Sequence, residues 1–245
     1  MRLDVLLVEL GLVTSRTEAK KFILEGAVTV DGRIQNKPSY DVESPDAKIS
    51  VDKSSKRYVS RGGVKLEFAL KEFNIDVSGK LAVDIGASSG GFTDCLLQNG
   101  AAHVISVDSG SGQMVDSIRR DSRVTVIENY NARFMRRSDF EYVPTLAVMD
   151  VSFISATYIM PAVYDVLAEN AEFVCLIKPQ FEVGRSGIGK GGIVKDEKVR
   201  RNAIDKVTAF ALSQGFRQIS VIKSPIEGGD GNVEYLAYFR KGIEV

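Results

Sequence analysis

Leu81-Ala82-Val83-Asp84-Ile85-Gly86-Ala87-Ser88-Ser89-Gly90-Gly91-Phe92 decides the fold. An apolar run of strand length carries one acid, Asp84, near its end. Glycines then crowd a short turn, and helical spacing begins at Gly91. Glycine lets a backbone approach a ligand closely, and a helix N-terminus offers unpaired N–H groups. The spacing is not G-x-G-x-x-G, because Gly86 is followed by Ala87-Ser88-Ser89 and only then by Gly90-Gly91. A dinucleotide is therefore disfavoured. Asp84, Gly86, Ser88, Gly90, Gly91 and Phe92 are the expected frame of a small-molecule pocket. Asp108 closes the next strand, roughly twenty residues on, where an acid accepts hydrogen bonds from both ribose hydroxyls of a nucleoside. Asn131 follows the third strand and is expected on the same pocket.

Outward from this turn, strand and helix patterns alternate. Strand-like runs cover Leu81–Ile85, His103–Val107, Val124–Ile127, Leu146–Met149, Phe173–Ile177, Ile219–Ile222 and Glu234–Phe239. Helical patterns include Gly91–Gln98, Ala156–Ala168 and Asp196–Ser213. Such alternation predicts an α/β fold, a mostly parallel sheet with helices on both faces. Residues 223–233 hold no helix, so the last strand is expected to be antiparallel. A seven-stranded sheet with one reversed terminal strand resembles the class I, Rossmann-like fold of S-adenosylmethionine-dependent methyltransferases. With that resemblance, Asp84, the glycine turn and Asp108 make S-adenosylmethionine the expected cofactor.

The first residues form a separate pattern. Leu3–Leu10 has helical spacing closed by Gly11, and Ser15 precedes Glu18 as in a capping box. The helix that follows carries Ala19, Phe22, Ile23 and Leu24 on one side, with Arg16, Lys20 and Lys21 on or near the other. Val28 and Val30 alternate, Asp31-Gly32 is a hairpin signal, and Lys48–Val51 is another short strand. Helix-turn-helix followed by G-x-V-x-V-D-G resembles the small RNA-binding module named after ribosomal protein S-four. That resemblance makes Arg16, Lys20 and Lys21 RNA-facing. Arg57 and Arg61 are further phosphate contacts in a basic connecting stretch. The expected division is an α+β S-four-like domain at 1–58, a linker at 59–64 and the larger domain at 65–245.

Bulk composition mostly excludes. Thirty-two basic and 32 acidic residues give a formal net charge of zero, so any RNA-binding surface is local. Cys95 and Cys175 sit singly in apolar runs, and His103 is the lone histidine. A zinc centre or a histidine-based triad is not expected, and no metal is assigned. The N-terminus lacks a signal-peptide pattern. Asp150, Pro161 and Asp165 interrupt the most lipid-like stretch, so no membrane partner and a cytoplasmic location are expected.

Four distant polar residues complete the reading. Asp150 and Lys178 end the fourth and fifth strands, Glu234 starts the reversed strand, and Lys65 starts the helix before the first strand. Ligands in open α/β sheets bind beyond the carboxyl ends of the strands, and topology carries all four residues to that rim. Residues 59–66, 84–94, 150–155, 176–182 and 231–235 closely resemble the TlyA family, which joins an S-four-like domain to an FtsJ-like ribose methyltransferase. The resemblance implies 2′-O-methylation of cytidine in ribosomal RNA or ribosomal subunits, with Lys65, Asp150, Lys178 and Glu234 as a catalytic tetrad. Whether Lys178 acts as a base or as a cation stays open. Three rivals remain: a non-catalytic ribosome-binding assembly factor, the membrane-active hemolysin of the family's older label, and a small-molecule methyltransferase, against which the basic N-terminal unit argues. The Gly-rich stretch 184–192 reads as a lid, an RNA-contacting loop or a plain loop.

Overall fold

The structure is a computed structural model that describes residues 1–24, 26–44, 46–52, 57–184, 187–228 and 231–242. The elements run α1 (Leu3–Glu9), α2 (Arg16–Leu24), β1 (Val28–Val30), β2 (Arg33–Ile34), β3 (Ile49–Val51), α3 (Gly62–Glu72), β4 (Leu81–Ile85), α4 (Gly91–Gln98), β5 (His103–Val107), α5 (Asp116–Arg119), β6 (Val124–Ile127), β7 (Leu146–Met149), α6 (Met160–Val166), β8 (Glu172–Ile177), α7 (Pro179–Glu182), α8 (Glu197–Ser213), β9 (Phe216–Lys223) and β10 (Tyr235–Lys241).

In the first unit, α1 and α2 share a core with a three-stranded antiparallel sheet of order β2-β1-β3. Leu3, Leu7, Phe22, Ile23 and Val28 fill that core. Val30 pairs with Arg33, so Asp31-Gly32 is a two-residue hairpin loop, and both residues take positive φ as such loops require. Ser15 caps α2 by accepting from the Glu18 N–H at 3.2 Å. The return bond from Glu18 goes to the Thr14 N–H at 2.7 Å, one residue ahead of the usual box partner.

The second unit is a seven-stranded sheet of order β6-β5-β4-β7-β8-β10-β9. β10 is antiparallel to both β8 and β9, and the other pairings are parallel. The short connection from β9 turns back at the rim where the other strands finish and leads β10 into the sheet's interior. Alternate strand residues serve opposite layers. Val83, Ile85, Ile105, Phe173 and Phe239 pack with residues of α6 and α8. Ala82, Val104, Leu146, Val148 and Val174 pack with Leu66 and Leu70 of α3 and Leu96 of α4. Two covered faces explain why the central strands are continuously apolar.

Several expected element bounds shift, among them β9, which runs Phe216–Lys223 where Ile219–Ile222 is expected, and β10, which starts at Tyr235, one residue after Glu234. The Ala156–Ala168 pattern splits into a 3-10 turn, Ala156–Tyr158, and α6, with Pro161 in the first turn of α6. Proline is compatible with a helix only there, so the helix starts late. Gly62-Gly63, read as linker, opens α3. Among the described residues, no helix is long and apolar enough to cross a membrane.

Phe173 is fully buried and touches Phe216 and Phe239, with ring centroids 5.3 and 5.8 Å away. Phe173→Ala is expected to cost about 3–5 kcal/mol in urea unfolding, because the layer around it cannot collapse fully. A loss below about 1 kcal/mol would remove this ring from the core that orders β8.

Candidate active site

Two ion pairs form where four distant segments meet. Lys65, in the first turn of α3, places Nζ 2.5 Å from Glu234 Oε2, and both side chains are buried. Lys178, just beyond β8, places Nζ 2.5 Å from Asp150 Oδ1, just beyond β7. Lys178 Nζ also donates to Ser152 Oγ at 2.8 Å. Burial pushes the Asp150 carboxyl up, but Lys178 and Lys65 outweigh it and hold that carboxyl below the usual range. All four expected residues therefore gather in one electrostatic cluster.

Lys65 reaches the cluster because its helix starts against the glycine turn. A Cβ at Gly91 would strike Ser60 Oγ, and one at Gly63 would strike the Tyr58 ring. Glycines at these contacts let α3 and α4 approach with their N-terminal turns together. Gly86, at φ +84°, lies against the Asp150 carbonyl oxygen, where any Cβ would collide. The turn and the Asp150 loop are thus held in contact.

Two adjoining hollows form a cleft here. One is lined by Ser60, Arg61, Lys65, Gly86, Ser88, Gly91, Phe92, Asp150 and Glu227. The other, about 610 Å³, is lined by Gly86, Ser88, Asp108, Tyr130, Asn131, Asp150, Ser152 and Phe153. Asp108 accepts from the Ser88 and Gly110 N–H groups, each at 2.7 Å. Each carboxylate oxygen keeps further acceptor capacity. Asn131 Oδ1 caps the following turn by accepting from the Arg133 N–H at 3.1 Å. Asp84 and Gly90 stand behind the turn and line neither hollow. Asp84 is fully buried, and its Oδ2 accepts from Thr93 Oγ1 at 2.6 Å. Burial pushes its carboxyl up to about 7, against the opposing hydrogen bond from Thr93.

The basic residues separate. Lys20 is exposed on α2, and the Lys21 side chain lies outside the described residues. Arg16 is half-exposed and donates to buried Asp4 at 2.8 Å. Arg57 pairs with Glu67 and lies over the Tyr58 ring. Arg61 donates to Gly26 O at 2.6 Å and to Glu227 O at 2.9 Å, bridging the two units.

Sequence reasoning missed three features. Buried Glu182 accepts from Ser155 Oγ, the Ala156 N–H at 2.8 Å and Lys206 Nζ at 3.3 Å, stapling the segment after Asp150 to the one after Lys178. The L-I-K-P-Q-F-E run contains Glu182, but nothing local signals its partner. Buried Asn232 accepts from the Val194 N–H and donates to Gly192 O, each at 3.0 Å. It ties the end of the Gly-rich stretch to the Glu234 loop; Arg185 and Ser186 of that stretch lie outside the described residues. Phe153 is 91% exposed at the cleft mouth, with φ +64°. A β-region aromatic would have been the ordinary expectation there.

Comparison with known proteins follows this division. The FtsJ-like methyltransferase model matches residues 58–241, and the S4 domain model matches residues 1–48. Hemolysin A of Brachyspira hyodysenteriae is 44% identical over 98% of this chain and 99% of its own length. The 16S/23S rRNA (cytidine-2′-O)-methyltransferase TlyA of Mycobacterium tuberculosis is 41% identical over 98% of this chain and 89% of its own. A solved structure from Streptococcus thermophilus, described as a candidate hemolysin, superposes with a TM-score of 0.79 at 43% identity, covering 99% of this chain and 88% of that one.

Asp84 generates a pH prediction. Its folded value near 7 exceeds the unfolded value of about 3.9, so the folded state binds the proton more tightly. Its contribution to stability is expected to fall as pH rises from about 4 to 7, and Asp84→Asn should flatten that limb in thermal melts. An unchanged pH dependence in the variant would show that Asp84 is ionised throughout.

Proposed function

This chain belongs to the FtsJ-like methyltransferase family, and from that membership we propose that it transfers a methyl group from S-adenosylmethionine to the ribose 2′-hydroxyl of a cytidine in ribosomal RNA. The observation that carries the reading is the meeting of the Lys65–Glu234 and Lys178–Asp150 pairs beside a glycine-lined cleft. Chain-wide identity to a curated ribosomal RNA 2′-O-methyltransferase supports it. The same membership disfavours a purely non-catalytic assembly factor. The hemolysin label belongs to a relative that shares this architecture.

The residues present fit the cofactor. The close-packed turn from Gly86 to Phe92 would accept its amino-acid end. Asp108 retains acceptor capacity for ribose hydroxyls, and Asn131 lines the same hollow. When bound, the cofactor supplies an electrophilic methyl sulfonium. The chain's own task is to hold a ribose oxygen in line and to manage one proton. Positioning of this kind is worth about 7–11 kcal/mol in favourable cases.

Lys178 acts on the hydroxyl as a cation. Neutralising a lysine at neutral pH requires a depression of about three units, near 4 kcal/mol. The Asp150 contact opposes that loss of charge, while burial of the lysine and the nearby Lys65 favour it; we take the direct 2.5 Å ion pair as the stronger. With donor and ribose bound, the ammonium would steady the negative charge that develops on the 2′-oxygen during methyl transfer. The hydroxyl proton leaves to solvent. Lys65 and Glu234 set the position and charge of the partner pair.

We assign residues 1–58 to RNA capture, 59–64 to the junction and 65–245 to chemistry. Arg16, Lys20, Lys21, Arg57 and Arg61 supply the positive charge that meets ribosomal RNA or a ribosomal subunit. Arg16 is held by Asp4, Arg61 by the Gly26 and Glu227 carbonyls, and Arg57 by Glu67.

Lys178→Ala is expected to keep cofactor binding in calorimetry and to lower methyl transfer about a hundredfold or more in a radiolabel assay with ribosomal RNA or subunits. Retained turnover would overturn the role given to Lys178. No transfer by the unaltered chain would overturn the function.

A further inference from the structure

Three aromatic side chains are more than half exposed among the described residues: Phe153 at 91%, Phe134 at 66% and Tyr158 at 60%. Single exposed apolar residues are ordinary. These three cluster on two neighbouring loops at the mouth of the cleft. The exposed Arg133 guanidinium lies 5.1 Å from the Tyr158 ring centroid and 6.0 Å from that of Phe134. Tyr158 and Phe153 line one open groove, which Phe181 and Lys206 continue. Phe153 also lines the cleft beside Asp150. A track of rings and cations therefore leads outward from the catalytic cluster.

We propose that the shelf of Arg133, Phe134 and Tyr158 holds the unpaired nucleotides adjoining the target ribose, stacking their bases on the aromatic–guanidinium pair. The proposal rests on the methyltransferase reading above and names the form of RNA that its site accepts. Tyrosine, phenylalanine and arginine also serve protein interfaces; what favours a nucleotide here is the groove that joins Tyr158 to Phe153 at the cleft beside Asp150. Every base has a π-face, and arginine adds both stacking and charge. Tyr158 shares one groove with Phe153, and Phe153 lines the cleft, so an occupant of the shelf belongs to the strand that enters there. A duplex buries its base faces and offers such a surface only phosphates, hydroxyls and base edges.

Fluorescence anisotropy on the full chain tests this, with a single-stranded cytidylate of about ten nucleotides and a duplex of equal length as probes. Tyr158→Ala is expected to weaken single-strand binding about tenfold and to leave duplex binding unchanged. Tyr158→Phe keeps the ring and should bind as the unaltered chain does. Arg133→Lys keeps the charge but loses the planar stack, so it should weaken the single strand alone. The shelf is overturned if Tyr158→Ala binds both probes as well as the unaltered chain does. It is also overturned if both affinities fall equally, or if the unaltered chain does not prefer the single strand. Methyl transfer to ribosomal RNA, measured on the same preparations, separates the two ideas. Transfer without single-strand preference removes the shelf and leaves the enzyme. The expected stacking pattern without transfer supports the shelf and removes the enzyme.

Discussion

Two ammonium groups cannot share one confined strand edge unless two carboxylates accompany them. A buried lysine without a partner loses its charge or destabilises the fold. Here each amine has its own acid, and the acids come from different strands: Lys65 from α3 meets Glu234 before β10, and Lys178 after β8 meets Asp150 after β7. The sheet order makes this possible. β7, β8 and β10 are consecutive neighbours, so Asp150, Lys178 and Glu234 come to one rim in a row. Reversal of β10 is essential to this, because a parallel last strand would begin at the opposite rim.

The same rim is built by close approach. Gly91 lets α4 meet the start of α3, Gly63 makes room for the Tyr58 ring, and Gly86 lets the first turn touch the Asp150 carbonyl. The connecting segment joins this packing. Tyr58 is buried against Gly63, and the Val59 N–H donates to Asp94 Oδ2 at 2.8 Å on α4. Gln98, at the end of that helix, donates to Arg57 O at 2.9 Å. The junction between the units is therefore docked along the helix that begins at the glycine turn. Arg61 extends the connection to Gly26 in the first unit and Glu227 near the cluster.

Periodicity made the strands and their order of travel legible, because a two-residue alternation or a continuous apolar run marks a strand wherever its partners lie. The two-residue loop at Asp31-Gly32 was legible for the same local reason: few residues accept positive φ at both positions. The four charged residues were placed by topology, which needs only strand ends. Side-chain pairing was not legible. Nothing near Lys65 in the chain indicates Glu234, which lies 169 residues away. Charge alone gives no sign that Arg61 also donates to a carbonyl in the first unit. Phe153 was unread because the positive φ that turns its backbone is set by the loop's closure and not by its own preference.

Glu182 shows why such long-range partners matter to chemistry. An ion pair fixes the distance between Lys178 and Asp150 only if the backbones behind them are also fixed. The segment after Asp150 reaches Ser155 and Ala156, and the segment after Lys178 reaches Glu182 within one short helix. One carboxylate accepts from both the Ser155 hydroxyl and the Ala156 N–H, and Lys206 of α8 closes the third side. The Glu182 carboxylate is buried and lines neither hollow of the cleft, while Ser155, Glu182 and Lys206 border the adjoining groove beside Phe153. Charges at the rim can then face the ligand while neutral hydrogen bonds and one covered acid hold the two loops. That division of labour lets the polar cluster border the cleft while covered polar contacts such as Glu182 and Asn232 hold its loops.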